Sequence, residues 1–81
     1  MTKTIAETLK TAAAQLRQSE VPTDLLDAQL LLAEALQQDR TYLVINYNLA
    51  VPEDVLTRFQ SLIERRCTGE PLQYILGRQE F

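Results

Sequence analysis

EVPTDLLDAQLLLAEALQQD, residues 20 to 39, decides the fold. Its apolar residues Leu25, Leu26, Ala28, Leu30, Leu32, Ala33, Ala35 and Leu36 recur so densely that they wrap most of the way round a helical wheel. A helix that is apolar on most of its faces is buried by neighbours, so this one is expected at the centre of its domain. Its start is marked by Pro22 near the first turn, where a missing amide hydrogen costs little, and by Asp24 and Asp27, which the positive end of the helix dipole favours. Gln29 falls inside the apolar arc, as a satisfied buried amide or at a helix crossing. Leu31 falls among Asp27, Glu34 and Gln38, on what reads as the exposed side.

Working outward, Thr4 to Ser19 reads as a first helix, with Ile5, Leu9, Ala12, Ala13 and Leu16 on one face and Thr4 and Glu7 spaced as a capping box. After the central helix, Asp39 or Thr41 is placed to cap a short third helix that sets Leu43, Val44 and Tyr47 on one side. Tyr42, Val44, Ile45 and Tyr47 also have strand propensity, but no partner strand is visible elsewhere. Pro52, Glu53 and Asp54 open a fourth helix with Val55, Leu56, Phe59, Leu62 and Ile63 inward. Arg65 and Arg66 suit its carboxyl end, and Gly69 stands where a left-handed cap is expected. The fold class is all-α: a bundle of four main helices and a short fifth, with short loops that make neighbours mostly antiparallel.

Composition narrows the function. The chain has 81 residues, 46% apolar and 23% charged, the balance of one folded domain with a simple core. The net charge is −3, and no helix gathers Lys and Arg into a basic face, so direct nucleic-acid binding is not expected. A helix-turn-helix reading fails for the same reason, and because no base-reading set of Asn, Gln and Arg is present. Histidine is absent and Cys67 is the lone cysteine, so neither the usual nucleophile–base pairs nor an ordinary zinc site can be assembled. No catalytic, cofactor-binding or metal-binding residue is assigned in this chain. Cys67, with no histidine to activate it, is a small packing residue. With no signal peptide and no apolar run of membrane length, the expected location is cytoplasmic and away from membranes.

The last seventeen residues, RRCTGEPLQYILGRQEF, hold both glycines of the chain. Pro71 suits a helix start and Gly77 a helix end, and one or two turns between them would return Leu72, Ile75 and Leu76 to the bundle. Arg78, Gln79, Glu80 and Phe81 then read as a polar exit carrying one large apolar residue.

Here the sequence resembles a known family. Arg66, Gly69-Glu70-Pro71-Leu72-Gln73-Tyr74-Ile75-Leu76-Gly77 and Glu80-Phe81 are similar to the junction of the release factor glutamine methyltransferases, the HemK/PrmC family, and Asp27-Ala28-Gln29-Leu30-Leu31-Leu32 and Arg40 look like earlier landmarks in the same order. Gln29 stands where many relatives have Glu. The resemblance implies a helical recognition domain over residues 1–77, with 78–81 opening the connection to an absent C-terminal methyltransferase domain. That domain would carry the glycine-rich loop for S-adenosylmethionine and the Asn-Pro-Pro-Tyr motif for the target glutamine. The expected partners are class I peptide-chain release factors, methylated on the glutamine of their Gly-Gly-Gln loop, and this chain alone is expected to be inactive. Gly69, Glu70, Pro71, Tyr74, Gly77, Glu80 and Phe81 are then the junction candidates. Tyr42 and Tyr47 are candidate partner contacts, though a core role is the simpler reading for each. The rival from another class is a stand-alone helical adapter that binds a partner helix in a groove.

Overall fold

The computed structural model describes residues 3–77; the junction candidates Glu80 and Phe81 lie outside them. Five helices follow one another: α1 (Ile5–Gln18), α2 (Asp24–Leu36), α3 (Arg40–Ile45), α4 (Glu53–Cys67) and α5 (Leu72–Leu76). No strand is present among the described residues, so the all-α expectation holds.

Each boundary has a local cause. At the start of α1 the Thr4 hydroxyl accepts from the Glu7 amide at 3.2 Å and the Glu7 carboxylate accepts from the Thr4 amide at 3.0 Å. This reciprocal box satisfies two amides that the first turn would otherwise leave unpaired. Two more are met from far along the chain: Ile5 donates to the Leu49 carbonyl at 2.9 Å and Ala6 to that of Tyr47 at 2.8 Å. The segment after α3 therefore straps the amino end of α1, with an antiparallel bridge between Thr4 and Ala50. Asp39, the first of the two expected caps, accepts from the Tyr42 amide at the start of α3. Pro22 precedes α2, whose N-cap is Thr23.

The α2 helix packs against α1, α3, α4 and α5, which makes it the central element. Ala28, Leu31 and Leu32 meet Leu16 of α1 and Phe59 and Ile63 of α4 in one continuous core. From α4, Arg58 Nη1 reaches the Ala35 carbonyl at 3.3 Å, setting a cation on the negative end of α2.

The orientation of α2 corrects part of the sequence reading. Leu31, expected to be exposed, is completely buried, whereas Leu25 and Leu26, counted among the apolar wrap, are 51% and 40% exposed in the first turn. The buried stripe runs through Asp27, Ala28, Leu31, Leu32 and Ala35, which is regular helical spacing. Counting Asp27 as a surface charge turned the wheel the wrong way. Its carboxylate is in fact inside, and Leu31 lies one turn further along the same side.

Candidate functional site

Two features beyond the core bear on function: the turn between α4 and α5, and a groove bounded by α1, α2 and α3.

The turn begins where α4 ends. Gly69 has φ +96°, in the left-handed region that side chains disfavour, so the chain reverses there with little strain. Two adjacent arginines then hold the reversal from opposite sides. Arg65 pairs with both carboxylate oxygens of Glu70, its Nε lying 3.0 Å from Oε1. These hydrogen bonds hold the Glu70 carboxyl below its ordinary range against the opposing effect of desolvation, and they raise Arg65 in return. Arg66 turns inward instead. Its Nε donates to Asp27 Oδ2 at 2.8 Å and its Nη1 reaches the Glu70 carbonyl at 3.3 Å, while the other Asp27 oxygen accepts from the Thr23 hydroxyl at 2.9 Å. The Asp27 side chain is 4% exposed and that of Arg66 21%, so this pair joins α2 to the turn beneath the surface.

From this clamp Pro71, as N-cap, leads into α5, which ends on Gly77 at φ +67°. Ile75 is buried, Leu72 and Leu76 pack against the core, and Tyr74 is 72% exposed on the opposite side. Gly69, Glu70, Pro71, Tyr74 and Gly77 thus form one contiguous turn and helix. Missing from the sequence reading was the contact between Asp27 and Arg66, 39 positions apart. The signal was available in a carboxylate on an otherwise apolar stripe, which needs a partner if it is buried.

The second feature is a groove of about 630 Å³. Leu9 and Ala13 of α1, Leu25 of α2, and Leu43, Val44 and Tyr47 from α3 and its exit supply its apolar surface, with Lys10, Arg17 and Gln29 at its polar edge. Leu43 is buried, so Val44 and Tyr47, expected beside it, are the parts of that face left open, 69% and 52% exposed. Tyr42 is half-buried against the core, and Tyr47 is the candidate that faces out. Gln29 accepts from Arg40 Nε at 3.2 Å, resolving it as a paired amide at a helix crossing. Arg17 Nε donates to Asp24 Oδ2 at 2.9 Å. That bond and the Leu25 amide hold the Asp24 carboxyl below its usual value.

No cluster of His, Cys, Asp or Glu suited to a metal ion occurs among the described residues. Gly69 and Gly77 both lie at helix ends. Cys67 is half-buried, its Sγ 4.0 Å from the Gln15 carbonyl, in keeping with packing. No described helix is long and apolar enough to cross a membrane.

The described residues thus form a helical bundle with a clamped turn before α5 and an open groove between α1, α2 and α3. Residues 7–77 match the family described as the PrmC N-terminal domain, and the chain belongs to that family. It is 40% identical over its whole length to the release factor glutamine methyltransferase of Vibrio cholerae, and 38% identical over 96% of its length to that of Koribacter versatilis. A bifunctional methyltransferase of Rickettsia felis is 32% identical over the whole chain. The chain spans 28% of the first two relatives and 15% of the third. No solved structure matches.

Proposed function

We propose that this domain recognises the substrate for a release factor glutamine methyltransferase: it holds the body of a class I peptide-chain release factor while a separate catalytic domain, using S-adenosylmethionine, methylates the Gly-Gly-Gln glutamine. The observation that carries the reading is the family match across nearly the whole described bundle, to relatives several times longer that are named for this activity. The chemistry agrees. An amide nitrogen is a poor nucleophile because its lone pair is delocalised, so the reaction depends on alignment, and remote binding of a protein substrate is a way to supply it. In this reading residues 3–77 contribute no acid–base pair or nucleophile to the reaction. They offer surfaces, and a turn held rigidly at the point where α5 departs. In this reading Gly69, Glu70, Pro71, Tyr74 and Gly77 set the direction in which a following domain leaves, and Glu80 and Phe81 begin the connection. The expected setting is the cytoplasm, where release factors act.

The test is calorimetric titration of the 81-residue chain with an intact class I release factor, beside a short peptide carrying only the Gly-Gly-Gln loop. Saturable binding of the intact factor and none of the loop peptide is expected. Failure to bind the intact factor at any accessible concentration, or equal binding of the two, would refute a recognition role for the bundle.

A further inference from the structure

The α1–α2–α3 groove has a chemistry specific enough to define what enters it. Leu25, Val44 and Tyr47, each about half exposed or more, come from separate turns of the chain and converge on one concavity. Scattered surface apolar residues need no explanation, but a gathered set does. Ala13 and its neighbour Ala14 line the same hollow, and small side chains there let a second helix approach α1 closely. The walls are helices whose backbone groups are already paired. An extended peptide laid there would bury its own amides against apolar side chains, whereas a helix satisfies its own.

Charge supplies the remaining element. Lys10 and Arg17 line the groove, and Arg40 reaches its edge through Gln29. Asp24, the carboxylate beside them, is held by Arg17, whose side chain is still 74% exposed. Glu7, one turn before Lys10, has its carboxylate on the Thr4 amide at the helix start. On a chain of net charge −3, the groove edge is a local reversal of sign.

We infer that the α1–α2–α3 groove docks an amphipathic helix of the protein partner, one that carries carboxylates beside its apolar residues. The inference rests on the recognition role proposed above for the existence of such a partner, but the preference of the groove is measurable without it. The apolar residues of the incoming helix fill the hollow between Leu25, Val44 and Tyr47, and its carboxylates meet Lys10 and Arg17.

The experiment uses two synthetic helical peptides of roughly 15 residues. Both carry leucines on one face; one has glutamates flanking that face and its twin has lysines. Amide shifts of the labelled chain are followed during titration. The acidic peptide is expected to perturb residues 13, 17, 25, 44 and 47 and to bind about tenfold tighter than its twin at low salt, with the gap closing as salt screens it. Val44→Ser should weaken the acidic peptide by about tenfold without altering the fold, since Val44 is 69% exposed. Lys10→Gln should narrow the preference between the twins. Equal affinity of the two peptides, or shifts confined to another face, overturns the inference. The same Val44→Ser chain is then titrated with an intact class I release factor. Unchanged affinity for the factor sinks the groove as its docking site and leaves the recognition role standing. If neither the native nor the substituted chain binds the factor, the recognition role fails and the peptide data alone decide the groove.

Discussion

Removing the Arg66 guanidinium while keeping its stem, as in Arg66→Met, strands a carboxylate that is 4% exposed. Asp27 would then keep the hydrogen bond from the Thr23 hydroxyl. Breaking a buried ion pair from one side costs about 3–5 kcal/mol, and because Arg66 is 21% exposed, water can partly replace it, which puts the expectation near the lower figure. A domain of this length has roughly 4–12 kcal/mol of stability in all. With a urea dependence of about 1 kcal/mol per molar, the unfolding midpoint should fall by about 3 M. Asp27→Asn should cost about 2 kcal/mol, since Asn keeps the bond from Thr23 and Arg66 retains some access to water. The double variant should lose less than the sum, with a coupling of about 2 kcal/mol. Urea melts of the four proteins followed by far-ultraviolet circular dichroism give every term. A coupling below about 0.5 kcal/mol would mean that the pair does not join α2 to the turn energetically, and the account of a clamped exit would be wrong.

Leu32→Ala empties a completely buried position on α2 and should cost about 2–5 kcal/mol in the same melts; a loss typical of a surface site would contradict the packing. Glu20 and Gln37 hold left-handed backbone at φ 64° and 58°, so Glu20→Gly should raise stability by up to about 1 kcal/mol, read as a higher thermal midpoint. Asp24 and Glu70 are depressed below their ordinary values of 3.8 and 4.5, so their contribution to stability is complete above those values and is lost as the pH falls through the lower folded ones. Carboxyl titration by NMR should show both midpoints low, and the Glu70 midpoint should return towards normal in Arg65→Gln. Calorimetry should find no saturable binding of S-adenosylmethionine to this chain, and binding would overturn the division of labour proposed for it.

The sequence made the helices legible because their ends are written in local chemistry. Thr4 with Glu7, Asp39, and the glycines at 69 and 77 each act within a few residues of where they stand. The rotation of α2 was only half legible: Asp27 shares the spacing of Ala28, Leu31, Leu32 and Ala35, but the partner that lets it be buried lies 39 positions away. The groove lay between these cases. The common side of Leu43, Val44 and Tyr47 could be read from spacing, but that Leu43 would be covered and Val44 left open depends on how α3 settles against α2 and α1. Tyr74 could be placed on the short helix, and its outward direction follows only once Ile75 is seen to take the inward position.

The strap across the start of α1 has a consequence for how the chain is made. Ile5 and Ala6 give their amides to carbonyls at Leu49 and Tyr47, so the first turn of the first helix is completed by residues translated about forty positions later. At ordinary elongation rates of about 5–20 residues per second, that is a wait of roughly 2–8 s. During that interval the capping box alone holds the first turn of α1, and isolated helices of such length are marginal in water. Although α1 comes first in the chain, its first turn is thus completed only after α2 and α3 have been synthesised.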